Sequence, residues 1–168
     1  WNFQTFNNEH YEAFHNMIVF AANLNKFKSP VGDFSTLVKN DDNTYTRTMK
    51  DGTVIHFNAD GLQTSTVDRN GNTFTYAYTD ADGDGKAEEL ATITTPVGLQ
   101  FTFSYSNGKL AGISDSAGRV TSFTVDANGD LKEIVSPDTS RRQFSYQNHL
   151  LTNQVNERDL TTQYEYDS

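Results

Sequence analysis

The sequence predicts an all-β fold of stacked antiparallel β-hairpins, because aromatic residues recur at nearly fixed spacing and alternating segments end at glycine-containing turns. The recurring residues are Phe57, Tyr76, Phe103, Phe123, Phe144 and Tyr164. Their intervals are 19, 27, 20, 21 and 20 residues, a period typical of repeat architectures. Since a single hairpin is only marginally stable in water, the units are expected to stack and share a buried face.

Residues 1–49 are expected to form a lead-in segment, and residues 50–168 to form the repeats. Within the lead-in, residues 8–23 favour a short N-terminal helix, because Asn8 can cap it and glutamates follow in the first turn. The β-prone segment Met17–Phe20 opposes this interpretation. A turn and a hairpin are predicted next, at 30–33 and at 35–49.

The unit at residues 98–113 shows the repeat pattern clearly. Leu99–Tyr105 alternates apolar and polar residues, so its large side chains share one face of a strand. Asn107-Gly108 follows, a dipeptide that favours a tight hairpin turn because both residues tolerate positive φ. Leu110 and Ile113 lie in the next strand. The same order recurs at 54–67, with a turn at Asp60-Gly61, and at 120–134, with a turn at Asn128-Gly129.

The units share a consensus of glycine, an aromatic pair, a short turn, leucine and a β-branched residue. The residues that carry it include Phe103-Ser104-Tyr105, Asn107-Gly108-Lys109-Leu110, Ile113-Ser114-Asp115, Gly118-Arg119 and Tyr164-Glu165-Tyr166-Asp167. With them the chain resembles the RHS/YD-repeat family over about residues 50–168, although the Tyr-Asp pair appears only at Tyr166-Asp167. The resemblance implies a β-solenoid or shell segment of a large secreted or cell-surface protein. In some members of that family the shell encloses a toxic domain, and in others, such as the teneurins, it supports adhesion.

The longest interval contains an acidic insertion at residues 80–89, which has the chemistry of a calcium loop. Three aspartates alternate along it, two glycines permit a tight turn, and glutamates follow. Ca²⁺ takes roughly six to eight oxygen ligands, and alternating carboxylates in a tight loop converge on one point. The predicted ligands are the carboxylates of Asp80, Asp82, Asp84 and Glu88 and the carbonyl oxygen of Lys86.

The insertion resembles the calcium loops of integrin-type β-propellers, D-x-D-G-D-G-x-x-D, with Glu88 in place of the final aspartate. Such loops bridge two strands, which here would be Phe74–Tyr78 and Leu90–Thr94. An EF-hand is disfavoured, because Ala91 occupies the position of its bidentate glutamate. The alternative is a solvated acidic loop without metal, although crowded like charges repel one another. Asp126–Asp130 begins similarly and is predicted to be a plain turn.

Composition narrows the function classes. The net charge of −9 disfavours nucleic acid and anionic membranes as partners, and no apolar run is long enough for membrane insertion as a helix. Cysteine is absent, which excludes disulfides and thiolate metal sites. The final Tyr166–Ser168 stands where the second strand of a hairpin should begin, so a longer parent polypeptide is expected. The expected partners are the rest of that polypeptide or neighbouring repeats, including self-assembly, or a surface glycan or protein receptor.

No catalytic constellation is recognised, so the protein is predicted not to be an enzyme. The sequence holds no Gly-x-Ser-x-Gly elbow and no glycine-rich phosphate loop, and its four histidines show no ligand spacing. The predicted function is that of a structural, shell-forming repeat module that is secreted or at the cell surface. The alternative is a surface adhesin or glycan-binding module, which an exposed aromatic patch would favour over aromatic residues in a core.

Overall fold

The computed structural model describes residues 26–167, and every regular element in that range is a β-strand. The all-β prediction is therefore confirmed. The chain divides into two compact units, one ending at Thr73 and the other beginning at Phe74. The helix predicted at residues 8–23 lies outside the described residues, and the predicted boundary between residues 49 and 50 stays a prediction.

The described part of the first unit consists of consecutive strands that pair antiparallel in chain order. The strands are β1 (Lys26–Phe27), β2 (Thr36–Lys39), β3 (Tyr45–Thr48), β4 (Val54–Phe57) and β5 (Gln63–Val67). The hairpin predicted in the lead-in segment is the β2–β3 pair, in which Lys39 lies opposite Tyr45. Short connections fix this antiparallel order, because two strands joined by a tight turn pair with each other.

The second unit repeats the same arrangement, again with each strand pairing antiparallel to the next. The strands are β6 (Thr73–Thr79), β7 (Glu89–Thr94), β8 (Gln100–Ser106), β9 (Lys109–Ser114), β10 (Val120–Val125), β11 (Leu131–Val135), β12 (Arg141–Gln147), β13 (Leu150–Val155) and β14 (Thr161–Gln163). The hairpin connections alternate between two edges of this sheet. One edge therefore carries the β6–β7, β8–β9, β10–β11 and β12–β13 turns.

One five-residue turn occurs nine times within residues 26–167. The N–H of its first residue donates to the carbonyl of the fifth, and the N–H of the fourth donates to the carbonyl of the first. The fourth residue has positive φ, so each is a type I turn followed by a left-handed residue. The first residues of these turns are Asn40, Met49, Asn58, Asp68, Thr95, Asp115, Asp126, Ser136 and Asn156.

Aspartate or asparagine at the first position holds five of these turns closed. Their Oδ1 atoms accept hydrogen bonds of 2.8–3.1 Å from the backbone N–H groups two and four residues later. The pKa of the Asp115 carboxyl lies below its usual value, chiefly because the Arg119 side chain donates to it. The pKa of Asp126 is likewise lowered, chiefly by the backbone N–H of Asp130. The turn predicted at Asp126–Asp130 is confirmed.

A β-bulge recurs at the same place in five hairpins. The residues at which the register shifts on the first strand are Phe57, Tyr78, Tyr105, Val125 and Tyr146. The bulges therefore align Phe57 with Tyr78, whereas the aromatic spacing predicts alignment with Tyr76. The predicted alignment of Phe57 with Tyr76 is therefore wrong by two residues. The residue of the first unit that corresponds to Tyr76 is Ile55, which has no aromatic ring, so the aromatic spacing selected the next residue on the same face.

The two faces of the second unit's sheet differ in chemistry. Cross-strand partners share a face, and so do alternate residues of one strand. The register of the pairs shows which residues of the unit share a side. One side, which we call the aromatic face, carries Tyr76, Ile93, Phe103, Ile113, Phe123, Ile134 and Phe144. The opposite side carries small or hydroxyl residues, among them Thr92, Thr102, Ser104, Ser114 and Ser122. The predicted sharing of one face by Tyr76, Phe103, Phe123 and Phe144 is confirmed.

No apolar side chain among the described residues is fully buried. The side chains of Phe103, Phe123 and Phe144 are half-buried, because their neighbours along the stack cover part of each ring. Phe101, on the same face, is 40% exposed. The described strands of the second unit form a single sheet layer, and in stable domains the apolar face of such a layer is covered by a second layer. No described segment is a helix with the length and apolarity needed to cross a membrane.

Candidate metal centre

The acidic insertion is the loop between β6 and β7, whose ends are fixed by the pairing of Thr79 with Glu89. Its first carboxylate organises the turn: Asp80 Oδ1 accepts from the N–H of Gly83 at 2.7 Å, and its Oδ2 accepts from the N–H of Gly85 at 2.9 Å. Gly83 and Gly85 have φ of 83° and 92°, a conformation that glycine adopts without steric cost. The alternation of aspartate and glycine thus folds the loop around Asp80.

Three further carboxylates bind the loop's own backbone. Asp82 Oδ1 accepts from the N–H of Asp84 at 3.1 Å, and Asp84 Oδ1 accepts from the N–H of Lys86 at 2.9 Å. Glu89 Oε2 accepts from the N–H of Ala81 at 3.0 Å, which ties the first strand of the hairpin to the second. These bonds hold the acidic side chains inside the loop.

Asp80, Asp82 and Glu89 each place one carboxylate oxygen within 4.8 Å of the other two. Oxygens that bind one Ca²⁺ at about 2.3–2.6 Å lie at most roughly 5.2 Å apart, so this spacing is compatible with a shared cation. The two aspartates are exposed and Glu89 is half-buried. Carboxylate oxygens are the donors that a hard divalent cation prefers, and they fit Ca²⁺ without identifying it.

The predicted ligands are only partly brought together. Asp80 and Asp82 converge, whereas the Oδ2 of Asp84 lies 3.5 Å from Nζ of Lys86. The Lys86 side chain is 70% exposed. Glu88 is exposed and lies outside the converging group, whose third member is Glu89. The ligand set proposed from the sequence stays a prediction.

Glu89 was not identified from the sequence, because spacing within the propeller-type loop selects Glu88 instead. The signal that could have found it is register: Glu89 is the first residue of β7, directly across from the residue that precedes Asp80. Glu88 precedes the strand and is exposed, whereas Glu89 is half-buried and belongs to the converging group.

The insertion contacts the turn of the next hairpin. A Cβ atom placed on Gly108 would lie 2.8 Å from the Cβ of Asp82, closer than real side chains approach. Gly108 also has φ of 70°, so both its backbone conformation and its neighbour require glycine. The loop is therefore positioned by the β8–β9 turn as well as by its own hydrogen bonds.

Similar contacts join later turns along the same edge of the sheet. Nζ of Lys109 donates to the carbonyls of Asp126 at 2.5 Å and Ala127 at 3.3 Å. Nδ1 of His149 lies 2.8 Å from Oδ1 of Asp130, and this hydrogen bond raises the pKa of the imidazole. The four histidines show no ligand spacing in the sequence, so the His149–Asp130 pair, 19 residues apart, could not be predicted from it. Each contact bridges two consecutive hairpins.

Two tyrosine hydroxyls make bridges of a different kind. The hydroxyl of Tyr105 donates to the carbonyl of Leu90 at 2.9 Å, and that of Tyr166 donates to the carbonyl of Leu151 at 2.9 Å. In both cases the tyrosine follows the leucine by 15 residues. Burial is the chief cause that raises the pKa of Tyr105. Tyr105 therefore connects its hairpin to the one before it, and Tyr166 connects the residues after β14 to the hairpin that contains Leu151.

No family model matches this chain, and no curated protein matches it either. The resemblance to the RHS/YD-repeat family therefore stays a prediction based on the sequence pattern.

Proposed function

We propose that the chain is a structural, shell-forming repeat module of a larger secreted or cell-surface protein. The observation that carries this proposal is the two-faced sheet of the second unit, which has an aromatic face but no fully buried apolar side chain among the described residues. A face of this kind is stable when another layer covers it. The resemblance to the RHS/YD-repeat family indicates what would cover the aromatic face: neighbouring repeats, the remainder of the parent polypeptide, or a second copy of this chain.

The edge of the sheet supports the same proposal. In β14, Thr161–Gln163 pairs with β13 on one side. An unpaired strand edge exposes backbone donors and acceptors that can pair with a further strand. In a longer repeat array the next hairpin would take that position, as each hairpin of the second unit does for the one before it.

Hydrogen exchange of the chain alone and within its parent polypeptide tests this proposal. The amides of β14 and the residues around Phe101 on the aromatic face are expected to become protected in the parent polypeptide. The turn at Asp115–Arg119, which its own hydrogen bonds already close, is the internal control and is expected to change little. Equal exchange of β14 and the aromatic face in both settings would contradict a shell-forming role.

The proposed module includes one calcium-stabilised hairpin loop, supported by the converging carboxylates of Asp80, Asp82 and Glu89. A bound divalent cation would neutralise these charges and fix the β6–β7 connection. Calcium at ten times its Kd should add about 1.4 kcal/mol to the free energy of unfolding, provided that it binds only the folded state. For a chain of this length that corresponds to a rise in Tm of about 3–6 °C.

Three variants make the calcium test specific. Asp80→Asn combined with Asp82→Asn should abolish the calcium-dependent rise in Tm, whereas Asp41→Asn combined with Asp60→Asn removes equal charge elsewhere and should keep it. Glu89→Gln should weaken the effect more than Glu88→Gln, because only Glu89 belongs to the converging group. Calorimetry that shows no calcium binding at millimolar concentration would reduce the insertion to an acidic turn.

A second candidate function is a surface adhesin or glycan-binding module. The specific observation in its favour is exposed aromatic surface in the first unit, where Phe34 is 71% exposed and Phe27 is 52% exposed. Aromatic rings can stack on sugars. Glycan-array binding that is lost in Phe34→Ser but kept in Val97→Ser, an exposed residue of a second-unit turn, would favour the adhesin.

A further inference from the structure

The hairpins of the second unit separate near the turn edge. The ladder between β9 and β10 joins Gly112–Ser114 to Val120–Ser122 and ends there. Lys109–Ala111 and Phe123–Val125 lie beyond the ladder, and a cleft of about 550 Å³ opens between them. Its walls include Leu110, Ala111, Phe123 and Val125.

Tyrosine spans the corresponding separation at two other places. The hydroxyls of Tyr105 and Tyr166 each donate a hydrogen bond to the carbonyl of the leucine 15 residues earlier. The bulges align Val125 with Tyr105, and the leucine 15 residues before Val125 is Leu110. Valine has neither the ring nor the hydroxyl, so this cleft lacks the tyrosine side chain that lies at the equivalent position of the β8–β9 hairpin.

The polar groups around the cleft are defined. Nζ of Lys109 reaches across to the carbonyls of Asp126 and Ala127, which holds the outer end of the two strands together. Ser106 and Lys109 flank the tight Asn107-Gly108 turn, and Tyr105–Leu110 is the next pair along the two strands. Antiparallel pairs alternate between hydrogen-bonded and non-hydrogen-bonded, so the Leu110 carbonyl points away from β8. It therefore points toward β10 and the cleft, as the Leu90 carbonyl does toward Tyr105.

We propose that this cleft binds a small phenol whose ring takes the place of the missing tyrosine side chain. Leu110 and Val125 contact the ring, and the phenol hydroxyl donates to the Leu110 carbonyl oxygen. A phenol is favoured over an unsubstituted aromatic hydrocarbon, because its hydroxyl can donate to the Leu110 carbonyl and the hydrocarbon has no donor.

The test titrates the full chain with p-cresol, which is the tyrosine side chain without its backbone, and follows amide chemical shifts by NMR. A ligand of this size is expected to bind with a Kd on the order of a millimolar. The largest shifts are expected at Leu110, Ala111 and Val125. Toluene has the same shape without the hydroxyl and is expected to bind about fivefold more weakly.

Matched variants locate the site. Val125→Tyr should supply the missing ring and remove p-cresol binding, whereas Val120→Tyr, in the same strand on the opposite face, should leave binding unchanged. Binding in Val125→Tyr equal to that of the wild type would overturn the proposal. If Val125→Tyr does not fold, the wild-type titration decides alone: shifts centred away from Leu110, or none at about 10 mM p-cresol, would also overturn it.

Discussion

Thr139 occupies the left-handed position of the β11–β12 turn with φ of 70°, and replacing it by glycine should stabilise the protein. Glycine occupies the same position in six of the nine recurring turns of the described residues. A β-branched residue is the least suited to this conformation, because its Cβ substituents crowd the backbone. The Thr139 side chain is exposed, so the substitution removes little packing.

The magnitude follows from two opposing terms. A side chain at left-handed φ costs about 1–2 kcal/mol relative to glycine. Glycine makes the unfolded chain more flexible, which offsets about 0.4–1 kcal/mol. At the midpoints of these two ranges, Thr139→Gly should raise the free energy of unfolding by about 0.8 kcal/mol and Tm by roughly 2–3 °C.

Urea unfolding and thermal melting monitored by circular dichroism measure this effect. Gly129→Thr, the reverse change in the preceding turn of the same type, should lower stability by a comparable amount. Asp159→Gly should gain less than Thr139→Gly, because aspartate tolerates the left-handed region better than threonine. An unchanged or lower stability in Thr139→Gly would refute the argument that backbone strain at this position is stored in the folded state.

Three other predictions follow from the turns and bridges. Tyr105→Phe should cost about 1 kcal/mol in urea unfolding, because it removes the donor to the Leu90 carbonyl; an unchanged midpoint would show that this bond contributes nothing. The pKa of Asp115 is lower in the folded protein than the unfolded value of 3.8. The ionised Asp115 side chain therefore stabilises the folded state above pH 3.8, and this stabilisation is lost as the pH falls through the lower folded pKa. Asp115→Asn, which copies the asparagine of the Asn156 turn, should reduce the loss of Tm between pH 5 and about pH 2, and an unaltered acid profile would contradict this. The chain should show no turnover on panels of glycosides, esters and peptides; reproducible activity that one acidic substitution abolishes would overturn the structural proposal.

The strands and turns could be predicted from sequence because their determinants are local. The determinants are the alternation in Leu99–Tyr105, the Asn107-Gly108 dipeptide and the glycine found in six of the nine five-residue turns of the described residues. They act within a few residues, so the conformations follow from sterics and short-range hydrogen bonds. The error at Phe57 has a local cause as well. An aromatic residue identifies a repeat but does not say which of two same-face positions it occupies, and only the β-bulge distinguishes them.

The candidate site was predictable in part for a related reason. Asp80 and Asp82 lie in one tight loop, and alternation with glycine suffices to place them together. The third carboxylate comes from the returning strand, and its identity depends on the register between β6 and β7. A shift of one residue would have turned Glu88 inward instead of Glu89.

The sequence alone determined an all-β repeat of hairpins, the places of some of its turns and an acidic insertion in one of them. Only the tertiary structure decided which groups meet between hairpins: Tyr105 with the Leu90 carbonyl, His149 with Asp130, and Gly108 with Asp82. These pairs are 15–26 residues apart, and no local rule links them. They form because the β-bulges, and the points at which hydrogen bonding between neighbouring hairpins stops, set the distance between those hairpins. That distance depends on the whole sheet and not on any one segment of the sequence.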